Sequence, residues 1–181
     1  HINGFSYNQW YAAMMTGGSI TGLQASDLGA LYHMAVQESE PADPGTVLIS
    51  EGTVVPAALH AAFMLQDGLD ALVAVDGLVS YADIMYMRDY EARNIPGAVP
   101  DVLGAYDLPD LVKAAGMHTL LVRPRRADGR IADKQFLEQS YFEGTFAADR
   151  QQLVTKSSAG DEQAVHRTIA TWLDGPMMHD D

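Results

Sequence analysis

Three short apolar runs, each followed by a segment of helical character, limit the folds that this chain can adopt. The runs lie at residues 46–50, 71–75 and 118–122. Runs of this length with apolar centres are typical of parallel strands that are buried on both faces. Strands that alternate with helices predict a parallel sheet with helices on both faces. The predicted fold class is therefore α/β, a three-layer α/β/α sandwich with a mostly parallel sheet.

Helical patterns and stop signals fill the intervals between these runs. Pro56 suits the first turn of a helix that follows the first run, because its missing N–H does little harm there. Gly116 is expected to end a helix that opens at Asp107, and Asp133 is expected to cap another. The remaining predictions are helices at 25–36, 81–90 and 162–173, a short fourth strand at 153–155, and an entry segment over residues 1–24 without firm periodicity.

Length and composition favour one globular domain over residues 1–181, of which 48% are hydrophobic. The net charge of -13 argues against a nucleic-acid or anionic-membrane surface. The absence of cysteine excludes a disulfide scaffold and a thiolate nucleophile. No apolar run approaches the ~20 residues of a membrane span. We expect a soluble, acidic protein, and a secreted or periplasmic location is compatible with that composition.

The number of predicted strands is small for a sheet of this kind. Doubly wound domains usually have about five or more strands. Here three strands are clear and one is weak, so the first would lie at a bare edge near Val47 despite its apolar character. We therefore expect the chain to form the second half of a larger sheet. A preceding segment, another domain or a homo-oligomer would cover the edge.

The stretch LISEGTVVPAALHAAF, residues 48–63, predicts a strand, a tight turn and a helix. In many hydrolases such a turn has the pattern G-x-S-x-G, in which the serine is the nucleophile. The same frame here runs from Ser50 to Val54 and has Gly52 at its centre. The pattern is therefore compatible with a nucleophile elbow that lacks its nucleophile and with a simple strand-to-helix turn.

Several stretches together resemble the C-terminal half of α/β-hydrolase esterases of the acetyl xylan esterase and cephalosporin-C deacetylase type. They are GGSITGLQASDLGALYHM, LISEGTVVPAALHAAFM, ALVAVDGLVSY and LGAYDLPDLVKAAGMHTLLVRP. The most specific piece is YDLPDL, residues 106–111, followed by a helix and a strand that ends before Arg123. The resemblance covers residues 11–173, and it implies an α/β-hydrolase fold without its first strands in a bacterial, polysaccharide-related setting.

This resemblance implies a catalytic serine, acid and histidine, and each position holds another residue. The serine position falls on Gly52, the acid position on Arg126 and the histidine position on Asp161. Without the serine and the histidine, the chain lacks both the nucleophile and its activating base. The triad positions therefore look degenerate.

Nearby residues offer weak substitutes, and each also has a structural interpretation. Ser50 and Thr53 are hydroxyls beside the apex, but they also suit the end of a strand and the start of a helix. Asp128 could replace the acid, although Asp-Gly is a common turn sequence. His166 lies inside the last predicted helix, where a packing or surface role is simpler. Capping explains Asp161 equally well.

Other chemistry has little support in the sequence. The histidines lack the spacing of a metal-ligand pair, so we expect no metal site and no cofactor. His60 follows the predicted elbow on a helix, where packing is the simpler role. Four arginines form a basic cluster that could bind a carboxylate, pair with acids of a neighbouring domain, or balance the acids of a solvated loop: Arg123, Arg125, Arg126 and Arg130.

The sequence is compatible with three functions. The first is a non-catalytic α/β-hydrolase-like domain with a structural or interaction role. The second is an active serine-type carboxylic ester hydrolase that acts on acylated polysaccharide through displaced residues. The third is a small-ligand or sugar-binding module that uses a cleft at the carboxyl ends of the strands.

Overall fold

The computed structural model describes residues 7–38, 45–141, 151–154 and 162–175. Within these residues, one all-parallel sheet has four strands in sequence order: β1 (Val47–Glu51), β2 (Ala71–Val75), β3 (His118–Val122) and β4 (Gln151–Val154). Val47 lies opposite Ala71, and Ala71 lies opposite His118. The predicted α/β class and its parallel sheet are confirmed.

Helices connect and flank these strands. They are α1 (Tyr7–Met15), α2 (Ile20–Glu38), α3 (Val55–Met64), α4 (Tyr81–Tyr86), α5 (Leu108–Ala115), α6 (Lys134–Tyr141) and α7 (Glu162–Leu173). Short 3-10 turns lie at Gly52–Val54, Ala92–Gly97 and Val102–Gly104. The entry segment contains α1 and the start of α2, which the sequence did not predict.

Strand β2 is the centre of the three layers, and its side chains divide between two apolar clusters. Leu72 and Ala74 belong to a cluster with Leu59 of α3 and Val112 of α5. The alternate residues of β2 face the other side and pack with Ile169 and its neighbours on α7. Because successive side chains of a strand point to opposite faces, a run without polar residues requires a helix layer on each face.

Strand β1 is only partly covered. Leu48 packs against the cluster under α3, and Val47 packs against the cluster under α7. Ile49, however, is 53% exposed, whereas its register partner Val73 is 0% exposed. Within the described residues, β1 pairs only with β2 and its other side is an open edge. What covers this edge in the protein stays a prediction.

Local signals explain the ends of several helices. Gly116 has φ 66° and ends α5, as predicted, because the left-handed region favours glycine. The Asp133 carboxylate accepts the Phe136 N–H at 2.8 Å and caps α6, also as predicted. Phe142, Thr155 and Pro176, which border other predicted elements, lie outside the described residues.

The prediction for α4 was wrong at its end, because the helix stops at Tyr86 and not at residue 90. Met87 is extended, with ψ 129°. Beyond it, the Glu91 N–H donates to the Ala127 carbonyl at 2.8 Å. The chain therefore leaves the helix to pair with the loop that follows β3, a long-range contact that helical propensity does not reveal.

Asp107 caps two helices at once. Its carboxylate accepts the Leu108 N–H at 2.7 Å at the start of α5 and the Tyr81 N–H at 2.6 Å at the start of α4. The Ser80 hydroxyl also donates to it. In return, the Asp110 carboxylate accepts the Asp107 N–H at 2.8 Å, which completes a capping box. The YDLPDL stretch therefore has a structural role in joining α4 to α5.

We predict that Asp107→Ala lowers the free energy of unfolding by about 2–4 kcal/mol, because the Ser80 hydroxyl and the Tyr81 N–H both lose their acceptor. Urea denaturation followed by circular dichroism measures the change. Asp110→Ala is the control and should cost about 1 kcal/mol, since it removes one exposed capping bond. Equal losses in the two variants would contradict the double cap.

Candidate functional site

The turn after β1 has the shape of an open elbow. Gly52 has φ +65°, a region that side chains of L-residues rarely adopt, and a Cβ built on it would have no atom within 4 Å. Val55 begins α3 and is buried against Gly77, which has no side chain to obstruct it. The turn therefore has free space at its apex, but no side chain there.

The hydroxyl groups beside the apex belong to Ser50 and Thr53, and the two lie in different surroundings. Ser50 is half-buried, and its Oγ donates to the Val73 carbonyl of β2 at 3.4 Å. Thr53 is half-buried and lies on the wall of a cleft. No histidine of the described ranges lines that cleft. Among the described residues, no hydrogen bond joins either hydroxyl to an imidazole that could act as its base.

A cleft of about 480 Å³ lies at the carboxyl edge of the sheet. The elbow forms one wall, and the other walls come from residues that follow β2 and β3 and from Glu91 with the 3-10 turn at Ala92–Gly97. Polar and charged side chains dominate its lining: Glu51, Thr53, Asp76, Glu91, Arg93, Asn94, Arg125 and Arg126. In open α/β sheets, ligands bind at this edge, so the cleft is the candidate functional site.

Asp76 is the first charged centre of the cleft. It follows β2 directly and has φ 51°, an unusual value for a residue other than glycine. Arg123 donates to its Oδ2, and Arg125 Nε donates to its Oδ1 at 2.8 Å. The two arginines follow β3, the neighbouring strand. The carboxyl ends of two adjacent strands are therefore joined by charge pairing.

Asp83 and Arg126 form the second charged centre. Arg126 Nε and Nη2 form a fork to the Asp83 carboxylate at 2.8 and 2.6 Å, and the Ala127 N–H donates to the same group at 2.7 Å. The guanidinium also lies 4.0 Å from the ring centroid of Phe136. The hydrogen bonds to Asp83 raise the pKa of Arg126 above its usual value. The position that resembles the catalytic acid thus holds a cation neutralised by a buried carboxylate.

Asp128 belongs to a tight turn and faces Arg130. Its Oδ1 accepts the Arg130 N–H at 3.1 Å, and its Oδ2 accepts from Arg130 Nε at 2.5 Å. Desolvation raises the pKa of Asp128, but these bonds and the charges of Arg130 and Arg126 outweigh it and leave the pKa below its usual value. Gly129 follows with φ 83°. This geometry favours the Asp-Gly turn interpretation.

The other predicted site residues do not gather at the elbow. His166 lies on α7 and lines a separate groove beside β1. Asp161 lies outside the described residues. The four arginines of the basic cluster pair with three aspartates of this chain: Asp76, Asp83 and Asp128. Asp76 and Asp83 were not predicted as site residues, although both lie shortly after β2, at the carboxyl edge of the sheet.

His60 packs in the helix layer, as predicted. Its Nδ1 donates to the Pro56 carbonyl at 2.6 Å, so its Nε2 accepts from the Tyr106 hydroxyl at 2.9 Å. Burial lowers the pKa of His60 and raises that of Tyr106. Both nitrogens of this neutral ring are thus occupied, and the Tyr106 hydroxyl ties α3 to the start of α5.

In the ranges that the structure describes, no three acidic or histidine side chains are grouped to hold a metal ion. Across the same ranges, no helix combines the length and the apolar character needed to cross a bilayer.

Comparisons of the chain with models of protein families, with curated proteins and with solved structures found no match. The four-stranded parallel α/β fold is therefore the level at which the chain is classified. The esterase resemblance stays a prediction that rests on the quoted stretches.

We predict that Arg126→Leu lowers the free energy of unfolding by about 2–4 kcal/mol, because it leaves the Asp83 carboxylate, which is 5% exposed, without its counter-ion. Arg130→Leu is the matched control. The Arg130 side chain is 76% exposed, so its removal should leave the urea midpoint almost unchanged. Equal midpoints for the two variants would contradict a stabilising role of the buried pair.

Proposed function

We propose that the chain is a non-catalytic α/β-hydrolase-like domain, related to carbohydrate esterases, with a structural or interaction role. The observation that carries this proposal is the elbow apex, where Gly52 adopts φ +65° and has open space but no side chain. This geometry is compatible with the backbone conformation of a nucleophile elbow. Gly52, however, has no side-chain oxygen that could attack an ester.

The charges of the cleft support the same proposal. A serine-type ester hydrolase needs a histidine that is oriented and stabilised by a carboxylate. At the position that resembles this carboxylate, Arg126 is bound to Asp83 by a bidentate pair. Asp76 is likewise bound by Arg123 and Arg125. The carboxylates Asp76 and Asp83 thus stabilise guanidinium groups, which leaves them unavailable to orient an imidazole.

The alternative, an active ester hydrolase acting on acylated polysaccharide, would require Thr53 or Ser50 as the nucleophile. Ser50 donates to a backbone carbonyl of β2. Thr53 lies on the cleft wall, but His60 already uses both ring nitrogens in hydrogen bonds to Pro56 and Tyr106. Among the described residues, the groups required for activation are therefore not assembled.

The test is hydrolysis of p-nitrophenyl acetate together with labelling by a fluorophosphonate probe. We expect the purified chain to match the S50A/T53A double variant in rate and to remain unlabelled, because no hydroxyl is activated. Turnover well above that of the double variant, with a label mapped to Ser50 or Thr53 by mass spectrometry, would establish an active hydrolase and refute the proposal.

A second candidate function, sugar or small-ligand binding, is favoured by the cleft itself. Its volume of about 480 Å³ falls within the usual range of ligand pockets. Carboxylate, guanidinium and hydroxyl groups face the space, and Asn94 adds an amide. A ligand rich in hydroxyls could donate to the carboxylates and accept from the guanidinium groups without disturbing their pairing.

Xylo-oligosaccharides should therefore raise the melting temperature of the protein, since a ligand that binds only the folded state stabilises it by about 2.7 kcal/mol at a concentration of 100 times Kd. Thr53→Val is a nearly isosteric change in the cleft wall and should reduce the shift. Val54→Thr, next to the cleft on an exposed residue, is the control. The absence of a shift with every oligosaccharide tested would count against this function.

A further inference from the structure

The open edge of β1 has few of the features that usually protect an edge strand, since its one charged residue, Glu51, lies at its end. Its register with β2 is continuous from Val47 to Glu51, so no bulge interrupts it. It contains no lysine and no proline, and Ile49 is left exposed at its centre. Natural sheets usually shield such edges with charges, bulges or a covering element. A strand of this composition is therefore suited to pair on its second side.

A groove of about 480 Å³ runs beside this edge, between β1 and α7. Ile49 and Val75 form its floor, and Ile169 and Leu173 form its wall. These apolar side chains would receive alternate side chains of a strand placed next to β1, because every second residue of a strand points to the same face.

Arg123 also lines this groove and is 7% exposed. Its Nη2 is bound to Asp76, so the charge of Arg123 is paired within the chain.

Helix α2 also presents an exposed apolar surface. Helix α2 packs on α3, and its Tyr32 hydroxyl donates to the Gly68 carbonyl at 3.0 Å. Helix α2 nevertheless exposes large apolar side chains: Leu23, Leu31, Met34 and Val36. A helix that is apolar on both sides is typical of one that is covered on both sides.

The charges of α2, β1 and the groove indicate the chemistry of a partner that would fit there. Lysine and arginine are absent from the sequence before Arg88, so α2 and β1 carry only acids: Asp27, Glu38 and Glu51. Glu162 adds another acid at the groove. A second copy of the chain would bring the same acidic residues to the contact, whereas lysine or arginine side chains would complement them.

We infer that β1 binds an extended segment of a partner polypeptide by strand addition. The segment places alternate apolar side chains in the groove beside Ile49 and a lysine or arginine opposite Glu51 and Glu162. The backbone hydrogen bonds of the added strand supply affinity, and the groove supplies selectivity. This inference rests on the interaction role proposed above and specifies the partner of that role.

A display library of random 12-residue peptides tests the inference directly. Selection on the purified chain should enrich peptides that alternate apolar residues and contain lysine or arginine. For one enriched peptide made synthetically, Ile49→Lys should weaken binding at least tenfold, because it puts a cation at the edge. Met85→Lys is the matched control, since Met85 is 71% exposed on α4, and it should leave Kd unchanged.

Amide hydrogen exchange adds a readout that is specific for strand addition. Amides of β1 should exchange more slowly in the presence of the peptide, and the urea midpoint of Ile49→Lys shows that the variant remains folded. Failure to enrich any peptide, enrichment of acidic peptides, or binding that Ile49→Lys does not weaken would each overturn the inference.

Light scattering tests another possible occupant of the β1 edge, a second copy of the chain. A dimer of the free chain that Ile49→Lys dissociates would assign the edge to a second copy and would overturn the inference. The esterase assay separates failure of the docking inference from failure of the proposed function. Ester turnover with intact peptide binding refutes only the non-catalytic role, whereas loss of binding without turnover refutes only the docking surface.

Discussion

The burial of β2 on both faces is the constraint on which the rest of the molecule depends. Its five residues, ALVAV, are all buried, and they contribute alternately to the clusters under α3 and under α7. A strand without polar side chains gains most of its stability when both faces are removed from water. The helix layers follow from this requirement, and so does the position of β1, which becomes the edge strand.

The same arrangement brings charged residues together at one end of the sheet. Each parallel strand ends at the same edge, so residues that directly follow β2 and β3 become neighbours in space. Asp76 and Arg123 meet there although they are 47 residues apart in sequence. Together with the pair between Glu91 and Arg93, the resulting pairs neutralise most of the charge in the cleft.

Short-range signals predicted most of the fold. The three apolar runs, the stop at Gly116 and the cap at Asp133 depend on residues close in sequence, and the structure confirms them. The end of α4 depends on the contact between Glu91 and Ala127, and the bidentate pair joins Asp83 to Arg126, which are 43 residues apart; periodicity cannot reveal contacts of this range. Helix α1 was missed because its sequence, YNQWYAAMM, offers neither an acidic first turn nor a basic last turn. The glycine at the turn after β1 involves one residue, Gly52, so the sequence predicts it directly, whereas its interpretation as a degenerate elbow stays a prediction.

The double cap at Asp107 links the core to the cleft mechanically. One carboxylate fixes the start of α5 and the start of α4, and the Asp83 side chain in the first turn of α4 holds Arg126 and the Ala127 N–H. Two aspartates, Asp107 and Asp83, therefore connect the loop after β3, which lines the cleft, to the helix layer. Because each contact holds the next, this loop and the two helices form one cooperative unit, and the cleft keeps its shape for as long as that helix layer stays folded.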